Sequence, residues 1–402
     1  MFRLAFKVSD IESFIFNNMK DIEEYASKEK EKVKYIPIEE FINNNSVFMD
    51  DEFFGRGKQW ISFNRDGFTS FCSTFGIPLY FINELTEANL ASHVLNNYVS
   101  NSDVKKQMAR YQFVVDTDNN TVLGVVSKTY QNYYNKSLLE DLKKYFPEVY
   151  KKFEVSESYV INTNLYLRLL SPKIKAGLVT GRGGTSEDVS RIGLQLSNSL
   201  VGDSSVKINF YVLRLLCANG LTIDSLNSNG KVMHSGKEET FKKRLEAAIS
   251  PLLKDLKTVP NMLKTLAGIE FIPASIVEVG GADEVYSIIP LDSDLNSKRK
   301  KLKGDKLKQF DIDIISGYPQ KYAGEHSSKI FKSYFRNNQS MFDFINVFTE
   351  YARTNNIGLR RRLEIEQRTG AFVNWIIKNK GKIEKQNKQI TQRAGQVSFL
   401  DI

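Results

Sequence analysis

Three stretches in the middle of the chain decide the fold: residues 164–170 read NLYLRLL, residues 191–197 read RIGLQLS and residues 207–212 read KINFYV. In each stretch large apolar side chains recur at every second position, which is the period of a β-strand with one buried face. The alternation predicts an antiparallel sheet whose other face is polar. The basic residues expected on that polar face are Arg168, Arg191 and Lys207.

Further β and helical patterns lie on the amino-terminal side of these stretches. Residues 9–31 and 130–152 space their apolar side chains as helices do. Residues 111–115 and 122–127 are rich in β-formers, and the five residues between them, DTDNN, are turn formers. This pattern predicts a hairpin.

Helical patterns dominate on the carboxyl-terminal side. One long helix is expected over residues 236–267, broken by Pro251 and Pro260, because a proline removes a helical hydrogen bond. Residues 341–353 carry an apolar stripe, and another helix begins at the triple arginine 360–362. The order of elements predicts an α+β fold: a central antiparallel sheet with long flanking helices, plus a mostly helical C-terminal lobe.

The same patterns suggest a division into domains. Residues 1–290 are expected to form an α+β domain, and residues 291–310 a basic linker or loop. Residues 311–380 are expected to form a helical lobe that packs on the first domain. Residues 381–402 are read as a basic tail with an apolar tip.

Composition favours a folded protein with a polyanionic partner. The 402 residues are 41% hydrophobic and 12% aromatic, and the net charge is +9. No apolar run is long enough to cross a membrane, and Cys72 and Cys217 are too few for a disulfide scaffold, which indicates a reducing cytoplasm. No Walker-type phosphate loop, nucleophile elbow or zinc spacing is present, so we expect no catalytic residue, cofactor or metal.

Clusters of cations with interleaved aromatic side chains are the strongest functional pattern. Cations follow a phosphate backbone, and aromatic rings stack on bases. The run 297–308 carries seven cations and is either a solvated loop or a phosphate-tracking segment. The expected nucleic-acid-binding residues are Arg56, Lys58, Trp60, Lys105, Lys106, Arg182, Arg191, Lys207, Arg214, Lys298, Arg299, Lys300, Lys301, Arg360, Arg361 and Arg362.

Acidic residues leave an alternative open. The glycine-rich stretch 181–185 is either a hairpin tip or a phosphate grip, and it is followed by Glu187 and Asp188. These two side chains, with Asp203 and Asp224, would suit a metal-dependent nuclease or nucleotidyl enzyme, because carboxylates hold Mg²⁺ against phosphate.

The carboxyl terminus ends in an apolar tip on a basic tether. Gln396, Ser398, Phe399 and Leu400 resemble the short peptide with which bacterial replication and repair proteins dock on the sliding clamp, although Val397 replaces the usual leucine. The alternative is a tail that folds back on its own domain.

Residues 198–204, NSLVGDS, and 213–221, LRLLCANGL, carry a family resemblance. They resemble the central signature of the phage/plasmid-related protein family, domain of unknown function nine-three-two. Weaker similarity covers much of residues 120–375, and Leu200-Val201-Gly202 and Val347 depart from the usual pattern. The signature residues are Asn198, Ser199, Gly202, Arg214, Cys217, Asn219 and Gly220.

Three signature residues have physical interpretations of their own. Asn219-Gly220 predicts a turn in which Gly220 takes a positive φ. Cys217 is expected to be a small buried side chain. Arg214 lies in an apolar strand, so it is either half of an ion pair, with Glu350 or Asp203, or a phosphate ligand.

The resemblance implies a mobile genetic element in a bacterial cytoplasm and no settled chemistry. With the cation clusters it favours a non-enzymatic protein that binds single-stranded DNA during replication, recombination or conjugative entry. A central sheet followed by a long helix also resembles phage single-strand annealing proteins at the level of fold. The alternatives are a protein-binding antagonist of host defence and the metal-dependent enzyme described above.

Overall fold

A computed structural model describes most of the chain. The described residues are 13–41, 47–48, 53–56, 59–87, 90–179, 187–215, 219–226, 230–236, 238–324, 339–354 and 357–398. They form two compact units that alternate along the sequence. Unit 1 takes in the described residues of Met1–Leu169, Leu196–Ile208 and Lys231–Ile249, and unit 2 those of Leu170–Gln195, Asn209–Gly230 and Ser250–Ile402. These bounds do not coincide with the sequence-based division at residues 290, 310 and 380.

A six-stranded sheet lies in unit 1. Its strands are β2 (Val33–Pro37), β3 (Val47–Phe48), β4 (Phe53–Arg56), β5 (Gln59–Phe63), β6 (Tyr111–Asp116) and β7 (Thr121–Ser127). Their order is β2-β6-β7-β5-β4-β3, and β5 pairs with β7 in parallel through Ser62–Thr121 and Phe63–Val122. The expected hairpin is confirmed as β6 and β7, with Tyr111 opposite Ser127.

An eight-stranded sheet contains the three stretches that decide the fold. Its strands are β1 (Ser13–Phe16), β8 (Glu154–Val155), β9 (Ser158–Ile161), β10 (Asn164–Val179), β11 (Glu187–Ser199), β12 (Val206–Arg214), β13 (Asn219–Ile223) and β14 (Lys231–Val232). The order is β1-β9-β10-β11-β12-β13, with β14 on β12 and β8 on β10. Strands β9 and β10 pair antiparallel, with Leu165 opposite Val160, and so do β12 and β13, with Val212 opposite Leu221.

Helices surround the sheet strands of unit 1. They are α1 (Met19–Lys32), α2 (Arg65–Thr74), α3 (Leu79–Glu87), α4 (Ala91–Ser100), α5 (Ser102–Met108), α6 (Asn135–Tyr145), α7 (Pro147–Lys152) and part of α8 (Glu238–Asp255). The helix expected over residues 9–31 is shorter, because Asn18 caps α1 at Asp21 and residues 13–16 pair with β9 instead.

The helices of unit 2 follow one another to the end of the described chain. Besides the end of α8 they are α9 (Val259–Gly268), α10 (Pro273–Glu278), α11 (Ala282–Ile288), α12 (Ser293–Lys300), α13 (Gly304–Tyr322), α14 (Met341–Tyr351) and α15 (Leu359–Ser398). Helix α14 is buried along residues 341–350 and begins with a capping box between Ser340 and Asp343. The α+β fold class is confirmed.

Several local expectations are wrong. Pro251 lies inside α8, and the helix is interrupted instead by a 3₁₀ turn at Leu256–Thr258. The basic run lies in α12, α13 and the short link between them rather than in a linker or loop. Residues 381–398, expected to be a tail, continue α15, where Ile383 is buried.

The turn expected at Asn219-Gly220 is also wrong, because both residues lie in a strand. Both residues open β13 opposite Arg214 and Leu213, and Gly220 is not among the residues with positive φ. A Cβ on Gly220 would lie 3.0 Å from Glu366 and from the Tyr211 ring. Close packing against the strand therefore accounts for this glycine.

Candidate nucleic-acid interface

The densest group of exposed cations in the described chain runs from the end of α12 to the start of α13. Because these side chains follow one another within nine residues, they present one basic segment. Its exposed lysines are Lys298, Lys300, Lys301, Lys303 and Lys306, which we call the lysine segment. Within the described part of the chain, none of them forms an ion pair, so their charges are available to an anionic partner.

Arg299 lies in the same run but has a structural role. Its guanidinium binds both carboxylate oxygens of Asp311, at 2.8 and 3.1 Å, and Asp283 at 2.7 Å. It also lies 4.8 Å from the centre of the Tyr286 ring. These bonds raise the pKa of Arg299 and tie α12 to α11 and α13. The expectation that Arg299 binds phosphate is therefore not supported by its contacts.

An aromatic ring and a helix terminus accompany the lysine segment. The Lys298 ammonium lies 5.7 Å from the centre of the half-buried Phe310 ring. No side chain at Lys303 caps the first turn of α13. The backbone amides at this end of the helix therefore favour an anion. Cations, a ring and free amides are the groups that single-stranded nucleic acids contact.

The triple arginine at the start of α15 is largely engaged within the protein. Arg361 donates to Glu364 at 2.8 Å and to the Ile288 carbonyl oxygen at 3.1 Å. Arg362 pairs with the buried Glu366 at 3.3 Å. Arg360 is exposed and also has a partner. Arg361 and Arg299 thus both bind α11, and both stabilise the packing of the unit 2 helices.

The remaining expected cations are scattered over several elements. Lys106 is exposed and pairs with Asp103 at 3.1 Å, and Lys105 beside it is partly exposed. Arg191 and Lys207 are half-buried on β11 and β12. None of these four belongs to the lysine segment.

Two arginines of the long strands are buried. Arg168 is fully buried, with its guanidinium 4.8 Å from the centre of the Tyr159 ring. Arg214 is 3% exposed, and its guanidinium lies 6.0 Å from the Phe342 ring centre. Both faces of the strands are covered here, so the expected polar face is wrong at Arg168.

Several expected residues are only partly described. Arg56 and Trp60 lie in β4 and β5, and Gln396 and Ser398 near the end of α15, as backbone positions. The expectations for Lys58, Arg182, Cys217, Phe399 and Leu400 lie outside the described residues.

Unit 1 contains a polar cavity of about 300 Å³ that the sequence did not indicate. Tyr25, Lys32 and Asn119 are its more exposed lining residues and form the rim. Its floor consists of buried side chains, which are Glu29, Val33, Asn64, Asp116, Thr121, Leu123, Asn162 and Thr163. We call this site the Glu29 cavity.

A chain of amide side chains supports Glu29. Asn198 donates to the Asn135 side-chain oxygen at 2.8 Å, and Asn135 donates to both Glu29 oxygens at 2.8 and 3.1 Å. Glu29 is 1% exposed, and burial raises its pKa to about 8, opposed by Asn135 and by the charge of Lys32. The signature residue Asn198 therefore acts as a support for a buried acid.

Other signature residues hold the turn after β11. Ser199 is buried, and its carbonyl oxygen accepts from Tyr130 at 2.6 Å. Gly202 has φ +77°, a conformation that favours glycine. The Ser199 hydroxyl accepts from the Asp203 amide at 3.2 Å, and Asp203 accepts from Asn164 at 3.3 Å. These residues are structural.

His234 lies in an aromatic cluster of unit 1. Its ring stacks on Tyr130 at 4.8 Å and on Phe241 at 5.6 Å, and it is 6% exposed. Burial lowers its pKa to about 4, opposed in part by the Gln131 backbone. The imidazole is therefore neutral at pH 7.

The acidic residues proposed for metal binding have protein partners where they are described. Asp224 accepts from Asn209 at 2.5 Å, and Asp203 binds Asn164. For Glu187 and Asp188 only the backbone position in β11 is described. Among the described residues, no group of three or more His, Cys, Asp or Glu side chains lies together as a metal site would need.

Comparisons with known proteins add no relative. No protein-family model, curated protein or solved structure matches the chain. Over the part of the chain that the structure describes, no helix is both long and apolar enough to span a membrane.

Proposed function

We propose that this protein binds single-stranded DNA without a catalytic step, with the lysine segment as its main phosphate contact. The observation that carries the proposal is five exposed lysines within nine residues that have no ion-pair partner in the described chain. Elsewhere, exposed lysines such as Lys28 and Lys243 pair with an acid one helical turn away.

The neighbouring groups support a single-stranded ligand. The Phe310 ring offers a face to a base beside the Lys298 charge, and stacking of this kind tolerates any sequence. Arg299, fixed by Asp311 and Asp283, keeps α12 in place, so that Lys298 and Lys300 are displayed on an ordered helix. The context that we propose is replication, recombination or conjugative entry of a phage or plasmid in a bacterial cytoplasm, as the family resemblance implies.

Fluorescence anisotropy over a salt series tests the proposal. The variant replaces Lys298, Lys300 and Lys301 with alanine. If each lysine neutralises one phosphate, the slope of log K against log salt should decrease by about 2 for a single strand. Labelled single- and double-stranded oligonucleotides are compared, with and without Mg²⁺, and the label should remain intact.

A matched control removes the same charge elsewhere. Lys28, Lys152 and Lys243 are exposed, and each pairs with an acid four residues away, so their triple alanine variant lowers the net charge equally. It should bind oligonucleotides like the unaltered protein. Equal losses in both variants would mean that only net charge matters, and a flat salt response would refute the proposal.

A clamp interaction is a separate proposal. The tip residues Gln396, Ser398, Phe399 and Leu400 carry the resemblance, and Gln396→Ala in the full chain should abolish binding to a purified sliding clamp. Binding that survives this substitution, or no binding of the unaltered chain at high micromolar concentration, would exclude the clamp as a partner of this tip.

A second candidate function is a protein-binding antagonist of host defence. Tyr80 and Phe81 on α3 and Leu90 beside α4 are 63%, 42% and 48% exposed, and large exposed apolar side chains favour protein contacts. The test is a stable, nuclease-resistant complex with a purified defence enzyme that Tyr80→Ser/Phe81→Ser removes. A complex that persists in this double variant would not support these residues as the contact.

A further inference from the structure

The Glu29 cavity has two floor groups whose hydrogen-bonding capacity is not fully used. Thr163 is 3% exposed, and its hydroxyl has no partner within the described chain. The Glu29 carboxyl receives hydrogen bonds from Asn135 alone among the described residues, although a carboxyl group has room for more. Buried polar groups are normally satisfied, so the unpartnered Thr163 hydroxyl and the remaining capacity of Glu29 point to a polar ligand in this cavity.

The position of Thr163 is fixed rather than incidental. It follows Asn162, whose φ of +55° belongs to the left-handed region, in the two-residue turn between β9 and β10. Asn162 accepts from Asn64 at 3.0 Å and donates to Asp66 at 3.3 Å. A turn held from both sides fixes the position of Thr163, which lines the cavity.

The charged groups of the cavity leave an almost neutral floor. Asp116 is occupied by Lys32 at 3.3 Å, by Asn119 at 3.1 Å and by the Asp118 amide at 3.0 Å. Burial raises the pKa of Glu29 to about 8, so the carboxyl is mostly protonated at pH 7. A protonated carboxyl offers one donor beside one acceptor.

Size and rim restrict the ligand further. A volume of about 300 Å³ is at the lower end of ligand pockets, which suits one small planar group. Tyr25 supplies an aromatic wall at the rim, where Lys32 is paired with Asp116. An aromatic wall and a donor–acceptor floor together match a nucleobase held edge-on to the floor.

We propose that the Glu29 cavity binds a nucleobase with an exocyclic amine beside a ring nitrogen, which is cytosine or adenine. Glu29 and Thr163 contact the base edge and Tyr25 contacts its face. In taking the base from a bound strand, this inference rests on the proposed function, but the site itself also accepts a free nucleoside.

Titration with free nucleosides, followed by calorimetry or NMR shifts at pH 7, tests the site. Cytidine and adenosine should bind about tenfold more tightly than thymidine, which presents a carbonyl oxygen where they present an amine and an N–H donor where they present an acceptor ring nitrogen. Thr163→Val should weaken cytidine binding about tenfold. The same variant should unfold at the same or a higher temperature, because it removes a buried hydroxyl that has no partner. If Thr163 were purely structural, the substitution would lower the unfolding temperature and leave cytidine binding unchanged.

The pH profile identifies the role of Glu29. Glu29→Gln keeps one donor and one acceptor, so it should retain cytidine binding, whereas Glu29→Leu should lose it. Above pH 8 the unaltered protein should bind cytidine more weakly as the carboxyl ionises, and Glu29→Gln should not change. Lys32 and Asp116 line the cavity, and Tyr35 and Tyr134 are close enough to interact with Glu29, so this comparison with a variant that retains all four isolates the acid.

The outcomes separate the two proposals. Nucleoside binding that persists when Lys298, Lys300 and Lys301 are alanine would support the cavity even if oligonucleotides do not bind. Oligonucleotide binding without any nucleoside binding would overturn the cavity inference alone. Equal affinity for cytidine and thymidine would also overturn it.

Discussion

The Asn135 side-chain amide donates to both carboxylate oxygens of Glu29, at 2.8 and 3.1 Å, in the interior of unit 1. The amide of Asn135 is itself oriented, because its oxygen accepts from Asn198 at 2.8 Å. Two helices and one strand that are distant in sequence, α1, α6 and β11, thus determine the position of one acid. A buried acid without a cationic partner at contact distance is costly, and its titration should be visible in the stability of the protein.

Glu29→Gln should change how stability depends on pH. Because the folded pKa is about 8 and the unfolded value is near 4.5, the native state binds more protons between these pH values, and stability falls as pH rises through them. The variant does not titrate here, so its free energy of unfolding relative to the unaltered protein should rise by about 2–5 kcal/mol from pH 5 to pH 8.5. Denaturant unfolding at both pH values measures this.

Glu24→Gln on the same helix is the control for this prediction. Glu24 is exposed, and its hydrogen bond to Lys28 lowers its pKa, so the substitution should produce no gain with rising pH. Parallel pH profiles for Glu29→Gln and the unaltered protein would contradict the burial argument.

His234→Phe should show the opposite pH dependence. Burial holds the folded pKa at about 4, whereas the unfolded histidine binds a proton below about 6.5, so stability is lost as pH falls from 6.5 to 4. Phenylalanine keeps the stacking on Tyr130, and the variant should gain about 3 kcal/mol relative to the unaltered protein over this interval. Thermal unfolding at pH 4.5 and 7 checks the sign. A stability difference that does not change with pH would mean that His234 has the same pKa in the folded and the unfolded protein.

Arg299→Met should destabilise unit 2 by about 3 kcal/mol, because it leaves the Asp311 carboxylate buried without its bidentate partner. Lys308→Met is the comparison. Lys308 pairs with Glu278 at 2.8 Å, but both side chains are substantially exposed, so the cost should stay below about 1 kcal/mol. Denaturation midpoints of the two variants measure the difference, and similar values would contradict a structural role for Arg299.

Two glycines of α15 provide a matched steric test. A Cβ at Gly370 would lie 1.8 Å from the Thr222 carbonyl oxygen on β13, whereas a Cβ at Gly381 meets nothing within 4 Å. Gly370→Ala should destabilise the protein by more than about 2 kcal/mol. Gly381→Ala should stabilise it by about 0.5–1 kcal/mol through helix propensity. If both substitutions were tolerated equally, α15 would not pack this closely on the strand.

Local periodicity predicted much of the fold but not its tertiary contacts. The alternation at residues 164–170 and 191–197 predicted β10 and β11 because successive strand side chains point to opposite faces. It could not show that Arg168 is buried, because another layer covers the second face. Gly220 was similarly misread, because its packing partner Glu366 is far away in sequence.

The two candidate sites differ in how visible they are in sequence. The lysine segment is a contiguous run, so composition alone indicates it, although the bonds from Arg299 to Asp311 required the fold. The Glu29 cavity is assembled from distant elements. One signal was present: Ile22, Ala26, Glu29 and Val33 share the spacing of a buried helix face, and an acid on such a stripe predicts a buried carboxyl.

The interleaving of the two units has a consequence for how the chain becomes folded during synthesis. Unit 1 includes residues up to Ile249, and segments of unit 2 emerge before it is complete. Strands β10, β11 and β12 each contribute residues to both units, so the first 169 residues must wait for partners that the ribosome supplies later. No single cleavage of the backbone releases either unit whole, and a nick that would separate two consecutive domains would here interrupt both.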